Sequence, residues 1–145
     1  NIKVSVGIQL FTGFMLGGFY AGGQIEIIKN FAENLHADML KWGGAGALTL
    51  MGMLTGSQST AQTSNFSFLG PALESLGLDP VKIAVAGSHI AAAGQGMPPA
   101  DITTFMVAGL VGGMLGVKVD PVKSMLYSSV LCIYLFIVGM IFLYI

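Results

Sequence analysis

Gly94-Gln95-Gly96-Met97-Pro98-Pro99-Ala100-Asp101 interrupts an apolar stretch that runs from residue 83 to residue 117. No straight helix can pass through it. Pro98 and Pro99 lack backbone N–H groups, and Gly94 and Gly96 favour an open backbone. In lipid, every backbone group freed by such a break must find a partner in protein or in a watery cavity. Secondary transporters use breaks of this kind to bring half-helix ends and unwound carbonyls together near the bilayer midplane. What this break means therefore depends on whether the surrounding chain is membrane-embedded.

Composition says that it is. Of 145 residues, 54% are hydrophobic and 9% charged, whereas a soluble domain carries about 25% charged residues. Net charge is −1 and there is no arginine, which argues against nucleic acid as a partner. The single cysteine, Cys132, lies in an apolar run, cannot form an internal disulfide, and is expected to be a small lipid- or protein-facing side chain. The 21 glycines suit close helix packing in a bilayer. Residue 1 is Asn and the first apolar stretch is too long for a signal-peptide core. The expectation is therefore a piece of a longer chain with no cleavable signal.

On the near side of the break, Asp79-Pro80 is a strong helix start, with Asp as N-cap and Pro at the first helical position. Residues 80–93 then give a half-helix of ~21 Å, and residues 98–116 give a second of ~28 Å. Asp101 falls in the first turn of the second, where a carboxylate suits the positive end of the macrodipole. His89 is expected to make an interhelical hydrogen bond. Asp120-Pro121-Val122-Lys123 repeats Asp79-Pro80-Val81-Lys82; the two tetrapeptides read as helix starts at the membrane interface rather than as an internal repeat. Residues 121–145 form a final plain span.

Upstream, residues 42–73 carry no charge, and at ~1.5 Å per residue they are too long for one upright span. Their centre, residues 55–65, is almost wholly polar. A re-entrant hairpin over 42–76 accommodates this, with arms at 42–54 and 66–76 and the polar tip turning at depth. The alternative is one tilted span whose hydroxyls bond back to their own helix. Residues 26–41 form an amphipathic surface helix, with Ile27, Phe31, Leu35 and Met39 on one stripe and His36 solvated. Residues 4–28 form a first span, with Gly13-x-x-x-Gly17 and Gly18-x-x-x-Gly22 as packing motifs. Lys3, Lys118 and Lys123 then share one membrane face and Lys29, Lys41 and Lys82 the other, so the positive-inside rule assigns no orientation.

The chemistry on offer is that of ion binding. Loose carbonyls at both breaks, with hydroxyls and amides at the hairpin tip, suit a hard cation such as Na⁺. Free N-termini of half-helices suit an anion such as a carboxylate. Asp101 is the sole acidic residue between Asp79 and Asp120. It could hold a cation, carry a proton or cap its half-helix. There is no His-x-x-x-His or Cys/His set, no Walker loop and no Gly-x-Ser-x-Gly, so no enzyme is expected.

Gly52-Met53, Leu76-Gly77-Leu78-Asp79-Pro80-Val81 and Gly94-Gln95-Gly96-Met97-Pro98-Pro99, with their spacing and order, resemble the C-terminal half of the large membrane subunit of TRAP (tripartite ATP-independent periplasmic) transporters. The resemblance covers nearly the whole chain, and the wider ion-transporter superfamily shares its hairpin-plus-broken-helix plan. It implies an all-α, polytopic helical bundle in a bacterial or archaeal cytoplasmic (inner) membrane, one half of an inverted-repeat carrier. Its function would be Na⁺-coupled uptake of an organic anion delivered by a periplasmic substrate-binding protein. The partners would be the second half of the transporter, a small membrane subunit and the lipid bilayer, with Na⁺ as coupling ion and no cofactor. By position, the ion-binding set would be Thr55, Gly56, Ser57, Thr60, Gly94, Met97 and Pro99. Asn65, Gln95 and Asp101 would serve substrate contact or coupling. Ala100-Asp101 departs from the family, where small or apolar residues are more usual, and so does the long polar tip. The alternatives are a proton-coupled carrier without a binding protein and a non-transporting membrane scaffold.

Overall fold

The computed structural model describes residues 34–145, apart from the side chains of residues 67 and 68, and, before them, residues 7, 10, 11, 14, 17, 18, 21–23, 27 and 30. Most of the expected span at 4–28, and residues 26, 28, 29 and 31–33 of the amphipathic segment at 26–41, lie outside these residues. Residues 34–145 are all-helical: α1 (Ala37–Thr55), α2 (Gln58–Ser75), α3 (Pro80–Gln95), α4 (Ile102–Leu115) and α5 (Pro121–Tyr144). No strand occurs among the described residues.

The helix starts follow from local chemistry. Asp79 Oδ1 accepts the N–H groups of Val81 at 2.9 Å and Lys82 at 3.1 Å. Asp120 Oδ1 accepts those of Val122 at 3.0 Å and Lys123 at 3.3 Å. Pro80 and Pro121, at the first helical position, lack an N–H that no helical carbonyl could have taken.

α1 and α2 form an antiparallel helical hairpin. Gly44, near the start of α1, faces Leu69, near the end of α2, so closely that a Cβ there would stand 3.1 Å from Leu69 Cγ. α3 lies against both. The Phe66 ring fills the place a side chain at Gly87 would occupy. On the other side α3 runs antiparallel to α5, with small residues at the crossing. A Cβ on Gly139 would lie 2.6 Å from Ile90 Cγ1 and 2.9 Å from the Ala86 carbonyl. The close approach of these backbones rests on such small residues, including the buried Ala45, Ala61, Ala86, Ala91 and Ala93. Leu48, Leu73, Ile90 and Met125 are the largest fully buried side chains.

Three contacts fix heights along α5. Lys82 Nζ donates to the Ile145 carbonyl at 2.8 Å, placing the start of α3 at the end of α5. Gly139 meets Ala86 and Ile90 further in. Gly96 meets Cys132, with Sγ 2.7 Å from where a Cβ would be. Cys132 is the twelfth of the 24 residues of α5, so α3 stops at mid-height. α4 continues past the break toward the start of α5. A cleft of about 360 Å³ between them is lined by Val107 and Val111 on one side and Ser124 and Ser128 on the other.

α5 is the one helix among the described residues long and apolar enough to cross a membrane. At ~1.5 Å per residue it reaches ~36 Å, past the ~30 Å hydrocarbon core. α4 is equally apolar but too short alone. Leu110 and Met114 of α4 and Leu126, Val130 and Ile137 of α5 are exposed. Lys41 and Lys82 lie at one end of the bundle, Lys41 Nζ standing 4.3 Å from the Tyr144 ring centre. Lys118 and Lys123 flank the start of α5 at the other.

Several boundaries differ from expectation. The first arm starts at Ala37 and not at 42, so residues 37–41 belong to α1 and not to a separate surface segment at 26–41. The polar tract at 55–65 is not a turning tip: the turn is Gly56 and Ser57 alone, and the second arm starts at Gln58, not at 66. Part of its polarity is absorbed within the helix, Thr63 Oγ1 donating to the Ser59 carbonyl at 2.8 Å and Asn65 Nδ2 to the Ala61 carbonyl at 3.1 Å. The helix after the break starts at Ile102, not at 98, so Asp101 is its N-cap rather than a first-turn residue.

Candidate functional site

The two chain breaks are built differently and lie against each other. α1 ends because Gly56 turns left-handed (φ 59°), its N–H bonding back to the Gly52 carbonyl at 2.9 Å. Without a Cβ, Gly56 adopts this conformation at little cost. Ser57 is extended, and its Oγ accepts the Thr60 N–H at 3.3 Å, restarting the chain as α2. α3 ends over Gly94–Gly96. The N–H of Gly96 bonds to the Ala92 carbonyl and that of Met97 to the Gly94 carbonyl, both at 3.2 Å. Pro98 and Pro99, joined by a cis peptide bond, donate nothing further. Asp101 then opens α4.

Glycines let the breaks touch. A Cβ on Gly94 would stand 2.9 Å from Thr49 Cα, and one on Gly52 would stand 2.9 Å from the Gln95 nitrogen. At Gly56 a Cβ would run into the Ala100 carbonyl. Polar side chains then tie α2 to α3. Gln95 Oε1 accepts the Gln58 N–H at 2.9 Å. Gln58 Nε2 donates to the Ser88 carbonyl at 3.2 Å, and Gln62 Nε2 to Ser88 Oγ at 2.9 Å. Gln58, Gln62 and Ser88 were not among the residues singled out from sequence. The four-residue spacing of the two glutamines, which places them on one helix face, was the available signal.

Asp101 is the one buried charged or polar residue among the described residues, 7% exposed. Its Oδ1 accepts the Thr103 N–H at 3.0 Å, and its Oδ2 accepts the Thr104 hydroxyl. No cationic side chain of the described residues pairs with it. The bonds from Thr103 and Thr104 make Asp101 the cap of α4.

The expected ion-binding residues are thus partly gathered. Gly56 and Ser57 form one break, Gly94 closes α3 beside Thr49, and Met97 and Pro99 lie in the other break. The break folds as a hydrogen-bonded turn over Pro98 and Pro99, and the Ala100 carbonyl beyond it lies against Gly56. Thr55 Oγ1 is turned back onto its own helix, donating to the Met51 carbonyl at 2.6 Å. Thr60 Oγ1 donates to Ser57 Oγ at 3.0 Å on the exposed side of α2. Of the substrate or coupling candidates, Gln95 bridges the breaks and Asp101 caps α4. Asn65 sits two turns along α2, bonded within its own helix and away from the breaks.

Among the described residues, His89 does not make the interhelical hydrogen bond expected of it. Nδ1 lies 2.8 Å from the Val85 carbonyl one turn back in α3, so that nitrogen carries the proton. The contact of His89 with α5 is aromatic, its ring 6.0 Å from that of Phe142.

The arrangement offers two things. Backbone carbonyls of the break, beside the buried Asp101, are oxygens of the kind a hard cation takes. The N-termini of α2 and α4, by contrast, are largely satisfied internally, by Ser57 and Gln95 at one and Asp101 at the other. A carboxylate at the start of α4 repels an anion rather than inviting one, contrary to the expectation of free half-helix N-termini.

Comparisons with protein-family models, with curated proteins and with solved structures found no match to this chain.

Proposed function

We propose that this chain is one half of a polytopic secondary carrier of the bacterial or archaeal cytoplasmic membrane. In this reading it couples Na⁺ entry to uptake of an organic anion that a periplasmic binding protein delivers, in the manner of the TRAP transporters it resembles. A small membrane subunit and a second half complete the carrier. The hairpin α1–α2 is re-entrant, and α3 and α4 are the halves of one broken spanning helix.

One observation carries this. The turn at Gly56–Ser57 and the break at 96–101 lie against each other, and Gly96 sits at mid-height of α5, the one helix long enough to span. Irregular backbone at that depth survives in lipid only where protein or a polar cavity covers it. Carriers put ion sites at such crossings. Backbone carbonyls of this break are the kind of oxygen a sodium ion would take.

The test is uptake into proteoliposomes containing the full-length protein with its binding protein. Uptake that requires both the binding protein and an inward Na⁺ gradient is expected. Uptake driven by a proton gradient without a binding protein would refute it, and so would an absence of any uptake by correctly folded protein.

A further inference from the structure

We propose that one end of the bundle binds the phosphate group of an anionic phospholipid, held between Lys41 of α1 and Lys82 of α3. Such a site requires the chain to lie in a membrane, not to transport. A pocket of about 280 Å³ opens there, lined by Lys41, Lys82, Gly77, Leu78, Asp79 and the end of α5. α5 runs ~36 Å, a little more than the ~30 Å hydrocarbon core, so its end reaches headgroup level. Trp42 and Tyr144, both exposed at this end, are the aromatic types that sit at that level.

The two ammonium groups reach the pocket from different helices, and each is held by a contact that leaves it donors to spare. Lys82 Nζ donates to the Ile145 carbonyl at 2.8 Å, which uses one of its three N–H groups. Lys41 Nζ stands 4.3 Å from the Tyr144 ring centre, an attraction to the ring face that uses no acceptor oxygen. Neither lysine pairs with a carboxylate side chain of the described residues. The acidic groups beside them are engaged elsewhere. Asp79 Oδ1 accepts the N–H groups of Val81 and Lys82, and Asp38 lies beside the Tyr144 hydroxyl. Two ammonium groups around one polar pocket at headgroup depth match the charge and the oxygens of a phosphate diester. Lys118 and Lys123 lie at the opposite end of the bundle, outside this pocket.

The test is thermal unfolding of the purified full-length protein in a neutral detergent, titrated at constant ionic strength with phosphatidylglycerol, phosphatidylcholine or inorganic phosphate. Phosphatidylglycerol should stabilise the protein saturably, at concentrations where phosphatidylcholine does not. Lys41→Gln and Lys82→Gln should each weaken its apparent affinity about fivefold, the worth of one lysine beside an anionic lipid surface. Lys41→Arg and Lys82→Arg keep the charge, should retain most of the affinity, and keep the test informative if a glutamine variant folds poorly. Lys118→Gln combined with Lys123→Gln should leave the affinity unchanged. An equal loss in that control would mean diffuse attraction and overturn the pocket, as would equal stabilisation by the two lipids. Inorganic phosphate acting as strongly as phosphatidylglycerol would overturn the lipid as the source of the phosphate. None of these outcomes depends on uptake, so the site and the carrier reading fail separately.

Discussion

The side-chain carbonyl of Gln95, the last residue of α3, accepts the backbone N–H of Gln58, the first residue of α2, at 2.9 Å. One amide therefore caps a helix 37 residues away and holds the two chain breaks together. A half-buried N–H at the start of a helix has no intrahelical acceptor, so losing this partner leaves it short of a bond.

Gln95→Ala should destabilise the folded protein by about 1–3 kcal/mol, the cost of orphaning a buried donor. Gln95→Glu retains an acceptor at the same reach and should recover much of that loss. Thermal unfolding in detergent reads both. A Gln95→Ala protein as stable as wild type would mean that water replaces the amide and that the breaks are not tied here.

The glycines of this chain should separate into two groups. Gly56 has φ 59° and faces the Ala100 carbonyl. An alanine there meets about 1–2 kcal/mol of left-handed backbone strain before the collision itself is counted. Overpacking adds about 1–3 kcal/mol. Gly109, on α4, has nothing within 4 Å of where its Cβ would be. Gly109→Ala should be neutral or stabilising by up to about 1 kcal/mol through helix propensity. Equal effects at the two positions in the same unfolding assay would contradict the packing described.

What sequence could and could not disclose follows the range of the interactions. Asp79-Pro80 and Asp120-Pro121 act within three residues, and both open helices where expected. The interruption after Gln95 was likewise legible from Gly96, Pro98 and Pro99. The start of α4 was not. Pro98 is a good first helical residue in isolation, but Asp101, three residues later, supplies the cap that sets the start at Ile102. The polar tract at 55–65 misleads for another reason. Gln58 and Gln62 look like loop residues until Ser88 comes alongside, 30 and 26 residues further along the chain. Thr63 and Asn65 hide their polarity in bonds to the preceding turn, as the tilted-span alternative assumed for the whole tract. How the breaks face each other depends on Gly52, Gly56 and Gly94, whose contacts are all long-range.

The α3–α5 crossing should be sensitive to added bulk. At Gly139 a Cβ would meet Ile90 Cγ1 at 2.6 Å, the Ala86 carbonyl at 2.9 Å and His89 Cβ at 3.3 Å. Ile90 could shift a methyl, but the Ala86 carbonyl belongs to a helix and cannot. Gly139→Leu should cost about 1–3 kcal/mol or more by forcing the helices apart. Gly113→Leu, where α4 offers open space, is the control of equal bulk and should cost less. Melting temperatures of the two variants, measured side by side, decide this, and a reversed order would remove Gly139 from the contact.

Cys132 reports on the break directly. It is 4% exposed, and its sulfur stands against Gly96 at mid-height of α5. A thiol held there reacts only when α5 and the end of α3 separate, since alkylation needs both an open path and the thiolate. In the folded protein Cys132 should react with a maleimide at least ~100-fold more slowly than after denaturation in SDS, corresponding to an opening free energy above about 2.7 kcal/mol. Gly96→Ala pushes a methyl toward the sulfur and should raise the folded-state labelling rate while leaving the denatured rate unchanged. Mass spectrometry of the intact protein follows both, because there is a single cysteine in the 145 residues. Folded-state labelling as fast as denatured labelling would mean that α5 does not stay against the break, and the mid-height placement of the site would go with it.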